Sequence, residues 1–167
     1  MEAMTQSKHQ RMEEFVRSRQ TGGGYPACYE LFFSLFNSGE YYEAHDVLEH
    51  LWLESKDSNP AFYKGLIQIA GAFVHLQKQF LRPGHPKDGK RLRPGFRLLA
   101  LGASNIRPYG PMHMGIDVEA VCADCAGLAN AIEASGYQIN PWSPENLPQI
   151  ALQCGRRLSC AGAGDRF

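Results

Sequence analysis

Neither sign of charge is in excess: seventeen lysines and arginines balance seventeen aspartates and glutamates. Polyanion binders usually carry a basic surplus or stripe, so the balance argues against a nucleic-acid partner. The one basic run, Lys87, Lys90, Arg91, Arg93 and Arg97, reads as a solvated loop. Long apolar runs are missing too. The longest mostly apolar stretch, residues 66–76, is interrupted by Gln68 and His75 and falls short of the roughly 20 residues of a membrane helix. The opening residues MEAMTQSKHQRMEEF contain no apolar segment of the kind that directs secretion. A cytoplasmic protein without a membrane partner is the expectation.

A disulfide framework is excluded by an odd count of five cysteines in such a chain. Cys122 and Cys125 form a lone C-x-x-C, half the ligand set of a structural zinc. They read as buried helix cysteines. No G-x-S-x-G elbow and no G-x-x-x-x-G-K-[ST] phosphate loop occurs. Gly22, Gly23 and Gly24 follow no strand, and His113 lies in a Pro/Gly/Met loop that reads as surface. Strand-like alternation and internal repeats are absent, so no sheet is expected.

What remains is helical. Residues 1–20 are polar apart from Met12, Phe15 and Val16 and form an N-terminal extension with room for a short helix. The glycines before Pro26 break it. Helices are predicted over 28–36, 40–55, 60–80, a short 94–101, and 116–134. Gly39 suits the left-handed cap position, Asn59 can cap and Pro60 can start the helix that follows. Residues 81–89 and 104–115 read as loops, the chain beyond Gly136 as extended, and 154–167 as a flexible tail. The predicted architecture is all-α, a compact bundle of four to five helices with short connections, in one domain over 25–150.

On the helix over 40–55, Tyr41, Ala44, Leu48, Leu51 and Trp52 form the apolar stripe. His45 and Glu49 fall at its edge, one turn apart. Asp46, His50, Glu43 and Glu54 fall on the opposite side and are expected to face water. The helix over 60–80 is apolar on more than one face and therefore central, with Gln68 and His75 stacked in one stripe. Gly65, Gly71 and Ala72 let a neighbour approach closely. Buried polar groups need partners. Meeting of the two polar edges would gather His45, Glu49, Gln68 and His75.

Two readings fit that cluster. Two imidazoles and a carboxylate suit a borderline divalent ion such as zinc, nickel or iron, and an open position would activate water. The other is a metal-free hydrogen-bonded network that locks helix register.

The segments Phe36-Asn-x-Gly-x-Tyr-Tyr-Glu-Ala-His45-Asp-Val-Leu-Glu49-x-Leu-Trp52 and Tyr63-Lys-Gly-Leu-Ile-Gln68-Ile-Ala-x-Ala-Phe-x-His75-Leu-Gln77 resemble the DUF309 family over residues 25–150. These are small all-helical proteins labelled, by prediction, as metal-dependent hydrolases. The resemblance implies that His45, Glu49 and His75 bind the ion, with Gln68 orienting water or substrate and Glu49 the alternative general base. The family usually has Glu where this chain has Asp46. A small molecule would be the substrate of such an enzyme, and a homodimer is one assembly such a bundle permits. The competing function is a non-catalytic helical or protein-interaction module, with Tyr41, Tyr42, Trp52 and Tyr63 as candidate anchors.

Overall fold

Ser7 Oγ accepts from the Gln10 amide while the Gln10 side chain accepts from the Ser7 amide, a reciprocal capping box that starts a helix at Lys8. The computed structural model describes residues 7–19 and 24–153. Among them are six α-helices: α1 (Lys8–Ser18), α2 (Ala27–Asn37), α3 (Tyr41–Glu54), α4 (Pro60–Leu81), α5 (Leu92–Ile106) and α6 (Val118–Ala134). The class is all-α as expected, but the count of four to five helices is corrected to six. The additional element is α1. It buries no residue fully, yet Met12, Phe15 and Val16 pack half-buried on the core, so the polar N-terminal stretch forms a layer of the bundle. The tail expected over 154–167 lies outside the described residues.

Two further expectations change. The helix predicted over 94–101 runs from Leu92 to Ile106. Pro94 is tolerated in its first turn, where a missing N–H leaves no intrahelical bond unmade. Residues 104–115, read as a loop, contain the end of α5, a 3-10 turn (Arg107–Tyr109) and a minimal antiparallel ribbon of β1 (Met112–His113) and β2 (Ile116–Asp117). The ribbon turns through Met114 and Gly115 at φ 43° and 79°, the positive values that a two-residue hairpin turn of the I′ kind requires. Strands of two residues carry no alternation to read.

The helix ends follow local chemistry. Gly39 sits at φ +82°, and the Gly39 and Glu40 amides donate to Phe36 and Leu35 carbonyls, which closes α2 in a Schellman motif. Pro60 opens α4 as predicted, but the Asn59 side chain makes no cap. Its Oδ1 lies 2.6 Å from His113 Nε2 instead.

Helix α4 is the central element. Phe62, Tyr63, Leu66, Ile69, Phe73 and Leu76 are all buried. Phe73 stacks on Tyr41 of α3 at 5.2 Å and meets Phe36 of α2 edge-on at the same separation. Where α4 crosses α5, a Cβ on Gly65 would stand 2.8 Å from the Gly102 carbonyl oxygen, and one on Gly102 would stand 2.7 Å from that of Gly65. The two backbones touch there because neither has a side chain.

After α6 the chain returns as an extended strap. Asn140 Nδ2 donates to the Leu76 carbonyl, Trp142 Nε1 donates to Tyr41 Oη, and Asn37 exchanges two hydrogen bonds with the Ile150 backbone. No helix among the described residues is long and apolar enough to cross a membrane.

Candidate functional site

The polar edge of α3 gathers three side chains. His45 lies against α4, its Cδ2 at 3.8 Å from the position of a Cβ on Gly71. Its Nδ1 is 3.4 Å from Asp46 Oδ1. One ligand atom from each of His45, Asp46 and Glu49 falls within 4.8 Å of the others. Lys8 of α1 stands over the two acids, with Nζ 3.9 Å from both Asp46 Oδ1 and Glu49 Oε2.

Asp46 therefore belongs with His45 and Glu49, and its expected solvent position is corrected. His50 is corrected likewise: side-chain exposure is 19% for Asp46 and 17% for His50. The part of the α3 face around Asp46 and His50 is covered by α1, while Glu43 and Glu54 on the same side are exposed as expected. A helical wheel of α3 alone identifies which residues leave the core, but not that another helix waits for them.

Gln68 and His75 of α4 have partners on a different side. Gln68 Oε1 accepts from Asn105 Nδ2 of α5 at 2.6 Å. Arg91 Nη1 donates to His75 Nδ1 at 3.1 Å. Since a guanidinium cannot accept, His75 keeps its proton on Nε2 when neutral. Burial first, then the charges of Arg91 and Lys78, push the His75 pKa below its ordinary value. Arg91 is itself held by Asp88, whose buried carboxylate accepts from Nε at 2.6 Å. That hydrogen bond is the largest cause keeping the Asp88 carboxyl below the usual carboxylate range. Arg91 therefore belongs to the α4–α5 junction rather than to a solvated loop. Nothing in the run of basic residues around it signalled this, and Asn105 and Asp88 carried no signal either.

A second group forms where α1 crosses α3. His9 Nδ1 is 3.3 Å from Glu54 Oε1, and His50 Nε2 is 3.4 Å from Glu54 Oε2. The other His9 nitrogen, Nε2, is 3.1 Å from Glu13 Oε1. The rings of His9 and His50 are 4.9 Å apart. His9, His50 and Glu54 also each place one ligand atom within 4.8 Å of the others. A groove of about 210 Å³ between the two helices is lined by Lys8, His9, Asp46, Glu49, His50 and Glu54, among others. A larger cavity of about 420 Å³ lies elsewhere, between α6 and the strap, lined by Phe36, Phe73, Leu128, Trp142 and Ile150 among others.

The remaining candidates are engaged in the fold. His113 is half-buried rather than surface, 4.6 Å from the Phe62 ring, and burial pushes its pKa down. Cys122 and Cys125 are buried in α6 as expected, and burial pushes the Cys125 thiol up to about 12. Cys28 is pushed up to about 11 by the same cause, so none of these thiols has nucleophilic thiolate character near neutral pH. Of the candidate anchors, Tyr41 and Tyr63 are core residues, Trp52 is half-buried and Tyr42 is 59% exposed.

Against known families, a model of DUF309, a domain of unknown function, matches residues 29–84. That stretch holds α3, α4 and all of α2 but its first two residues, with His45, Glu49, Gln68 and His75 among its residues. The match attaches no activity to them, and the hydrolase label draws no support from it. No curated protein and no solved structure matches the chain.

Proposed function

We propose that the chain is a non-catalytic helical module, structural or protein-binding, in which the polar groups of α3 and α4 tie helices together. One observation carries this reading: apart from His45, whose polar partner is Asp46 on its own helix, the side chains suited to a catalytic centre are matched to protein partners on other helices. Gln68 pairs with Asn105 and His75 with Arg91, which joins α4 to α5. Asp46 and Glu49 face Lys8, which joins α3 to α1. Such side-chain pairs fix how helices register against one another. Of the four candidate anchors, Tyr42 on α3, beside α1, is the one exposed to a partner.

The second reading is a divalent ion held by His45 and Glu49, with Asp46 completing the set in place of His75, which faces Arg91. The proximity of His45, Asp46 and Glu49 favours it. In that reading Gln68 orients water or substrate and Glu49 serves as ligand or general base. The ammonium of Lys8 at the two carboxylates opposes it, because an exposed lysine 3.9 Å from each already supplies part of the charge that the ion would bring.

Elemental analysis of untagged protein decides between them, comparing wild type with His45→Ala and His75→Ala. The module reading expects no metal whose presence depends on His45 or His75. Near-stoichiometric metal lost in both variants, with the fold intact by circular dichroism, would overturn it.

A further inference from the structure

The crossing of α1 and α3 repeats one small sequence device. His9 and Glu13 are an i,i+4 pair on α1, and His50 and Glu54 are an i,i+4 pair on α3. The two pairs face each other, and the carboxylate of Glu54 stands between both imidazoles, one oxygen toward each. We propose that His9, His50 and Glu54 form a zinc-type divalent metal site that fastens α1 onto the bundle.

Three features of the geometry support this. A tetrahedral ion with bonds of about 2.0–2.1 Å holds its ligand atoms about 3.3 Å apart. His9 Nδ1 and His50 Nε2 stand 3.3 and 3.4 Å from different oxygens of Glu54, and one ligand atom from each of the three residues lies within 4.8 Å of the others, so side-chain rotation has to draw the set together on one ion. Second, the Nδ1 of His9 is the nitrogen turned to Glu54, and the carboxylate of Glu13 lies 3.1 Å from its other nitrogen, Nε2. Ligating histidines characteristically give their other ring N–H to a carboxylate in this way, which fixes tautomer and orientation. Third, no lysine or arginine among the described residues is paired with Glu54. Among the described residues the ion-pair partners of Glu54 are the two histidines, whereas the neighbouring Asp46 and Glu49 have Lys8. Of the two adjacent clusters, this one offers the softer donor set and has no built-in cation.

The site has a structural use. Helix α1 has no fully buried residue, so its apolar contacts with the core are modest. An ion with ligands on α1 and α3 would close that helix over the groove lined by Asp46 and Glu49.

The test is titration of the untagged full chain with zinc chloride by calorimetry. It is paired with amide hydrogen exchange of α1. One zinc per chain is expected, weakened at least tenfold by His9→Ala and by His50→Ala. Glu13→Gln should keep the stoichiometry and weaken binding about tenfold. Exchange in α1 should slow on adding zinc in wild type and not in His50→Ala. Because His9 is half exposed, its replacement leaves the core untouched, and circular dichroism checks this. A wild type that takes up no zinc at micromolar concentration would overturn the site. So would wild-type zinc affinity in the His9 and His50 variants, or zinc lost in His45→Ala alone.

Discussion

His75 accepts from Arg91 at 3.1 Å, and the same guanidinium donates to the buried Asp88 at 2.6 Å. The relationship makes an imidazole that could ligate a metal into a neutral acceptor within an α4–α5 clamp. It also gives that imidazole a definite response to acid.

The ordinary histidine value is 6.5, and burial with the nearby cations holds His75 below it. His113 is shifted the same way by burial, against a smaller opposing effect of Asp57. As pH falls through about 6.5 the unfolded chain takes up protons that the folded chain still refuses. The stabilisation is therefore complete above the unfolded value and is lost as pH falls through the folded one. Urea midpoints should drop between pH 7 and pH 5, and His75→Gln and His113→Gln should each flatten that slope. An unchanged slope in both variants would contradict the burial account.

Gln68 and Asn105 make a closed pair across α4 and α5, separated by 2.6 Å and 37 residues of sequence. Removing one partner strands the other in a half-buried place at a cost of about 1–3 kcal/mol. Gln68→Leu and Asn105→Leu should each destabilise by that order, and the double variant by clearly less than their sum. Chemical denaturation of all four proteins measures the coupling. Strict additivity would remove this pair from the network on which the proposed function rests.

Much of the scaffold was legible in the residues. The apolar stripe of α3, the apolar surface on more than one face of α4, Pro60 at its start and the Gly39 cap each have a local cause, and local causes can be read locally. The partners of the polar residues could not be read that way. Arg91 and Asn105 come from the α5 side and Lys8 and His9 from α1, and which helix covers which face is a tertiary fact. The period of α3 correctly turns Asp46 and His50 away from α2 and α4. What it cannot contain is the second layer that α1 supplies.

At the α4–α5 crossing, alanine should be worse than glycine in spite of its better helix propensity. A Cβ on Gly65 would stand 2.5 Å from Ile106 Cγ2 as well as 2.8 Å from the Gly102 oxygen. Backbone cannot yield as a side-chain tip can, so the helices must separate. Propensity favours alanine by about 1 kcal/mol, while overpacking of this kind costs about 1–3 kcal/mol or more. Gly65→Ala should lower the thermal midpoint, and a rise would show that the crossing has slack.

The strap makes the last prediction. Trp142 is 4% exposed, donates to the Tyr41 hydroxyl at 3.0 Å and packs edge-on against Phe80 at 5.4 Å. Its loss opens a cavity beside the Tyr41–Phe73 stack and leaves a buried hydroxyl without its donor. Truncation of a buried aromatic of this size costs about 3–5 kcal/mol, so Trp142→Ala should remove a large fraction of the about 5–15 kcal/mol that holds a domain folded. Trp142→Phe keeps most of the volume and removes the hydrogen bond, so it should cost about 1–2 kcal/mol. Asn37→Ala, which cuts both bonds to the Ile150 backbone, should speed amide exchange in the strap more than in α4. If exchange instead rises equally in both, strap and bundle unfold as one unit, and the returning chain is part of the core rather than a layer upon it.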